Sequence, residues 1–169
     1  MTATLTTLVN FPYSASAVPS SLGDLIADSS GDLFGAAPAG PPDGDGEGDN
    51  FGLVFEIAKT AGGYASTPTT LASFDGDDGG TPQGSLIADA DGDLFGTTEE
   101  GGANGDGTVF EIDKTSTGYA SAPTTLVTFN SADGATPVGS LIADANDDLF
   151  GTTEGGGADA ARCLRLQKR

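Results

Sequence analysis

Along most of this chain apolar and polar residues alternate in short runs bounded by Gly, Pro and Asp. Thr108, Phe110 and Ile112 fall on one side of such a run, and Val109, Glu111 and Asp113 on the other. Leu53, Phe55 and Ile57 against Val54, Glu56 and Ala58 repeat the pattern. A period of two belongs to strands, and here it predicts sheets with one face more buried than the other. The strands expected in this part of the chain are 85–88, 93–98, 108–113 and 124–129. Asp89-Ala90-Asp91-Gly92, between the first two, has the composition of a hairpin turn. Pro68 and Pro123 stand just before the fourth strand, and Pro82 and Pro137 just before the next repeat. Those are places where a missing N–H is tolerated.

The pattern is itself repeated. GSLIADADGDLFGTTEEGG from Gly84 returns as GSLIADANDDLFGTTEGGG from Gly139, a shift of 55 residues. An earlier copy, LGDLIADSSGDLFGAAPAG, starts at Leu22. Phe34 to Phe95 is 61 residues, and the six extra residues fall in one loop containing PPDGDGEGDN. Thr6-Thr7-Leu8-Val9-Asn10-Phe11 matches Thr124-Thr125-Leu126-Val127-Thr128-Phe129. The chain therefore divides into the end of a preceding repeat (1–20), repeat 1 with its acidic insertion (21–83), repeat 2 (84–138), the start of repeat 3 (139–161) and a basic tail (162–169). Insertions confined to loops are what repeated units tolerate. Four short strands per repeat at this period predict an all-β fold of tandem four-stranded antiparallel β-meanders. Such meanders form an incomplete β-propeller-like array. A β-solenoid is the competing all-β form. Propellers need at least four blades. The expectation is therefore a piece of a longer array, or a chain that must self-associate against its own negative charge.

Charge and composition narrow the function. The 169 residues include 25 acidic and 6 basic ones, a formal charge of −19, with no His, no Trp and one Cys. A chain so acidic is repelled by phosphate backbones, so no nucleic-acid partner is expected. Without His, the commonest general base is missing, and so is Ser/His/Asp catalysis. One Cys makes neither an internal disulfide nor a structural zinc site. No run is apolar enough for membrane insertion, and 1–12 lacks the features of a signal peptide.

The blocks GDLFGTT, GTVFEI and GATPVGSLIAD carry a resemblance. They are similar to the repeats of the choice-of-anchor GloVer-containing proteins, over nearly the whole chain up to Ala161. The resemblance implies a bacterial, secreted, cell-surface tandem-repeat protein with no catalytic residues to carry over. This chain departs from it in showing neither export signal nor anchor.

The tail, RCLRLQKR, holds four of the six basic residues and the lone Cys163. Residues 1–161 set all 25 acids against Lys59 and Lys114 alone. If the repeat's Gly-Thr-Val-Phe-Glu-Ile-Ala-Lys is encoded as GGC ACG GTG TTT GAG ATT GCA AAA, the same bases read one base later give Ala-Arg-Cys-Leu-Arg-Leu-Gln, which is Ala161 to Gln167. The sequence thus predicts that a single-base change, or a sequencing error, ends a longer reading frame here. The alternative is a basic tail that binds something acidic.

Candidate chemistry rests on acids. Asp89, Asp91 and Asp93, and in the next repeat Asp144, Asn146 and Asp148, have the alternate spacing of a calcium loop. Glu100 falls at the twelfth position, but Leu94 stands where an EF-hand needs Gly, and the flanks are strands. A β-turn rich in Asp and Gly explains the same residues with no ion. Asp43, Asp45, Glu47 and Asp49 in the insertion could also gather calcium, or form a solvated loop. The glycines between 101 and 107 read as a flexible loop, not a phosphate loop. Phe34, Phe95 and Phe150 read as blade core, and the Thr pairs at 97–98 and 152–153 as strand lining. No cofactor is expected beyond calcium. The leading expectation is a non-catalytic surface module, structural or adhesive, whose partner is a surface protein or a glycan. A calcium-stabilised binding module and a fragment of a propeller hydrolase are the alternatives.

Overall fold

The computed structural model describes residues 5–9, 23–38, 51–156 and 161–167. These form strands, turns and loops, with no helix. The first repeat runs through β1 (Ile26–Ala27), β2 (Leu33–Ala37), β3 (Leu53–Ile57), a small hairpin of β4 (Lys59–Thr60) and β5 (Gly63–Tyr64), and β6 (Thr69–Ser73). The second copies it as β7 (Ile87–Ala88), β8 (Leu94–Thr98), β9 (Thr108–Ile112), hairpin β10 (Lys114–Thr115) and β11 (Gly118–Tyr119), and β12 (Thr124–Thr128). The third gives β13 (Ile142–Ala143), β14 (Leu149–Thr153) and β15 (Arg162–Leu166).

Each repeat is an antiparallel meander, ordered β1-β2-β3-β6, β7-β8-β9-β12 and β13-β14-β15. Register is copied too. Leu33 faces Ile57, Leu94 faces Ile112 and Leu149 faces Leu166 across the central pair. The four expected strands of repeat 2 are present, each shorter by one or two residues at an end. The β4–β5 and β10–β11 hairpins were not expected. A Lys and a Tyr face each other across both, with the ammonium 4.8 Å from the Tyr64 ring centre and 5.4 Å from that of Tyr119. Strands of two residues with hairly any apolar content give too short a period to register in sequence.

One face of these strands is the more buried, as the alternation predicts, but burial extends to part of the other face as well. In β9, Thr108, Val109, Phe110 and Ile112 are all buried, on both sides of the strand. The reason is stacking: each sheet is covered by the next. One core joins Phe34, Val54 and Phe74 of the first repeat to Leu94, Phe110 and Ile112 of the second. Another joins Phe95, Val109 and Phe129 of the second to Leu141 and Leu149 of the third. A third packs Leu53, Phe55 and Ile57 beneath Val9. The aromatic rings of Phe74 and Phe110 meet edge to face across the first junction, 4.9 Å apart. Apolar burial at about 25 cal/mol per Å² is thus gained between repeats as well as within them.

Polar groups cross the same junctions. The Asp24 amide donates to Ser85 Oγ, and the Ser85 amide to Ser140 Oγ, both at 2.9 Å. Thr97 Oγ1 donates to the Gly139 carbonyl across the second junction, whereas the buried hydroxyls of Thr98 and Thr108, 2.9 Å apart, lie within repeat 2. These Thr do line strands, as read from sequence. The glycine segment at 101–107 is tied down rather than free: Gly102 N–H donates to Gly76 O at 2.8 Å, and Gly107 N–H to Gly101 O at 3.0 Å. Of the recurrent Phe, Phe34 and Phe95 are core, while Phe150 is only half-buried because no further sheet covers it among the described residues.

The segment read as an aberrant tail fills the third-strand position. Arg162-Cys163-Leu164-Arg165-Leu166 happens to alternate, so Leu164 and Leu166 turn toward the second repeat's core. Leu164 stands where Phe55 and Phe110 stand in the earlier sheets, and an apolar gap of about 170 Å³ lies beside it.

Candidate functional site

The Asp-rich turns are built alike in all three repeats. Asp89 Oδ1 accepts the amides of Asp91 and Asp93, each at 3.0 Å. Asp144 Oδ1 accepts those of Asn146 and Asp148, and Asp28 Oδ1 those of Ser30 and Asp32. A backbone bond from Gly92 N–H to Asp89 O closes the turn at 3.2 Å. This is the local side-chain-to-backbone bonding that makes Asp a turn residue. The same bonds, first that from the Asn146 amide, hold the Asp144 carboxyl below its usual range.

The fourth turn position is left-handed, with φ of 84° at Gly31 and 87° at Gly92, but the third copy places Asp147 there at 60°. An L-residue in that region costs about 1–2 kcal/mol. Asp147→Gly is therefore expected to stabilise the chain by about 1 kcal/mol, read as a higher urea midpoint with an unchanged slope.

The last Asp of each turn reaches the end of the third strand. Asp32 Oδ1 accepts the Lys59 amide at 2.5 Å, and Asp93 Oδ1 the Lys114 amide at 2.6 Å. In the third repeat Asp148 is buried and pairs instead with the Arg165 guanidinium. The six residues singled out by sequence are thus split. Asp89 and Asp144 cap turns, and Asp91 and Asn146 lie at exposed turn tips. Asp93 joins two acids that the motif did not include: carboxylate oxygens of Asp93, Glu111 and Asp113 lie within 4.8 Å of one another. The signal was available, since the alternation of β9 puts Glu111 and Asp113 on one face. The equivalent positions in repeat 1 hold Asp32, Glu56 and Ala58, so the full trio belongs to repeat 2. The insertion acids Asp43, Asp45, Glu47 and Asp49 lie outside the described residues.

Between repeats 1 and 2 runs a cleft of about 550 Å³ lined by Asp28, Asp32, Glu56, Lys114 and Tyr119. Lys114 Nζ lies 3.9 Å from Asp28 Oδ2, and Tyr119 stands edge-on to Phe34 at 5.4 Å. Burial, then the neighbouring charges of Asp32 and Asp28, push the Glu56 carboxyl above its usual range, against a smaller pull from Lys114. The folded state then holds this proton more tightly than the unfolded chain does. Its contribution is full below the ordinary glutamate pKa and is lost as pH rises through the raised value. Glu56→Gln should raise the melting temperature at pH 7, by a few tenths of a kcal/mol in stability, and change little near about pH 3. Melts at the two pH values check this.

Residues 1–162 match the family described as the Gloeobacter/Verrucomicrobia repeat. The chain belongs to this repeat family. The match takes in every sheet up to the first residue of β15 and every Asp turn, and agrees with the resemblance carried by GDLFGTT and GTVFEI. No curated protein matches the chain. No helix among the described residues is long and apolar enough to cross a membrane. What the family membership states of this chain is a tandem-repeat module.

Proposed function

We propose that the chain is a non-catalytic module of a bacterial cell-surface or extracellular repeat protein, with a structural or adhesive role toward a surface protein or glycan. One observation carries this reading: the residues that recur at the repeat period are used in stacking and turn closure. Phe34 and Phe95, Leu86 and Leu141, and Thr98 and Thr153 are buried at equivalent places, and Asp28, Asp89 and Asp144 close equivalent turns. A scaffold needs these same roles in every unit, whereas a reaction centre needs convergent groups in one. The charge of −19 fits a soluble, nucleic-acid-free setting. Brief proteolysis of intact producing cells tests the location. Peptides of this chain should be released before those of cytoplasmic proteins, and their release only on lysis would overturn the reading.

A second reading, stabilisation by calcium, is favoured by Asp93, Glu111 and Asp113. Calcium takes six to eight oxygen ligands, and three converging carboxylates supply a partial shell that water completes. Calorimetric titration with calcium should give a saturable heat and a higher melting temperature, both lost in Glu111→Gln and kept in Asp91→Asn. Absence of heat and of any thermal shift would reject it.

A further inference from the structure

Two of the three sheets place a phenylalanine ring over a glycine of the strand beside it. Phe55 pairs with Gly35 and Phe110 with Gly96, and a Cβ on either glycine would lie 2.6 Å from the ring's Cζ. The same register in the third sheet pairs Leu164 with Gly151. A Cβ on Gly151 would meet Leu141 Cδ2 at 2.8 Å and, among the described residues, no other atom within 4 Å. The backbone keeps the same room in all three sheets, and a ring fills it in two.

The ring's partner is also in place. Across the first junction Phe110 meets Phe74 edge to face, with ring centres 4.9 Å apart. Across the second, Phe129 stands where Phe74 stands and is buried, and Leu164 packs against its core. Phe129 and Leu164 line the apolar gap of about 170 Å³ between the second and third sheets, with Val109, Val127, Leu141 and Leu149. Polar groups at this gap are already engaged. Arg165 donates to Asp148, Thr97 Oγ1 donates to the Gly139 carbonyl, and Asp133 Oδ1 accepts the Asn130 amide. An ion placed there would give up its water and gain apolar walls in return. Apolar cavities of about 150 Å³ stay dry and take up benzene.

We propose that this gap is a binding site for a small, neutral, single-ring aromatic molecule. The bound ring takes the volume that Phe110 takes at the first junction: over Gly151, beside Leu164 and edge to face with Phe129. Such a molecule gains twice, from apolar area removed from water and from the quadrupole contact with Phe129. An aliphatic guest gains only the first. The site belongs to the second junction, because Phe110 fills its counterpart at the first. It is separate from the surface role proposed above, since nothing outside the junction takes part.

Benzene is the probe. Added to the whole chain, it should raise the melting temperature in a saturable way, as a ligand of the folded state does. Benzylammonium, a similar ring carrying a charge, should not. Nuclear Overhauser contacts from bound benzene should reach the methyls of Leu141, Leu149 and Leu164, and not those of Leu86, Leu94 and Ile112 in the first junction's core. That readout needs no variant. Leu164→Phe supplies the ring covalently. It should raise the melting temperature by about 2–4 °C on its own and abolish the benzene shift. The proposal would be overturned by the absence of a saturable shift, or by an equal shift with benzylammonium. Contacts to the first junction's methyls, or an undiminished benzene shift in Leu164→Phe, would overturn it as well.

Discussion

Phe110→Ala is expected to cost about 3–5 kcal/mol, the range for a buried Phe whose cavity cannot collapse. Phe110 is fully buried, stacks edge to face on Phe74 of the preceding repeat, and fills the space over Gly96, where even an added Cβ would lie 2.6 Å from its ring. The loss falls on the junction rather than on one sheet, so both repeats should lose protection together. Domains of this size have about 5–15 kcal/mol of stability in all. Urea unfolding followed by far-ultraviolet circular dichroism measures the loss, and hydrogen exchange in β2, β3, β8 and β9 shows whether it is shared. A loss confined to β8 and β9 would mean that the repeats fold independently.

Gly107→Ala is the second large effect. Gly107 has φ of 91°, and a Cβ there would lie 2.3 Å from Thr98 O, 2.9 Å from Glu99 O and 2.7 Å from Pro137 Cδ. Two of these atoms are backbone and the third belongs to the rigid proline ring at the end of the same repeat, so none can give way cheaply. Left-handed strain of about 1–2 kcal/mol adds to overpacking of about 1–3 kcal/mol, for an expected loss of about 3 kcal/mol. Gly105 separates the two contributions. It is also left-handed, at 77°, but nothing lies within 4 Å of its missing Cβ. Gly105→Ala should cost only about 1 kcal/mol. Equal losses at both positions in urea unfolding would show that the close approach of Thr98, Glu99 and Pro137 to Gly107 contributes nothing.

Local structure was legible because the repeat writes it three times. Period-two alternation located β9, Asp-x-x-Gly located the turn before β8, and Pro68 and Pro123 marked the entries to β6 and β12. Two-sided burial was less visible. Glu111 breaks the apolar run of β9, yet Val109 on the same side is buried, because it faces the next repeat's core. Alternation reports polarity, and a sheet inside a stack can bury Thr98 and Thr108 once their hydroxyls bond each other. The acidic trio was half legible. Asp93 stood in the motif, whereas Glu111 and Asp113 come from a strand about twenty residues away, and only the pairing of β8 with β9 brings them together. The tail was read from its charge, and charge does not show that Leu164 and Leu166 fall into register with β14.

The central claim is that the cores of this chain lie between repeats. A double-mutant cycle on Phe74 and Phe110, using Leu at each site so that all variants stay folded, tests it most directly. The two rings come from different repeats, so the account predicts a coupling of about 0.5–1.5 kcal/mol in urea unfolding. Additive losses, with no coupling, would place the two rings in separate cores and contradict the stacked arrangement.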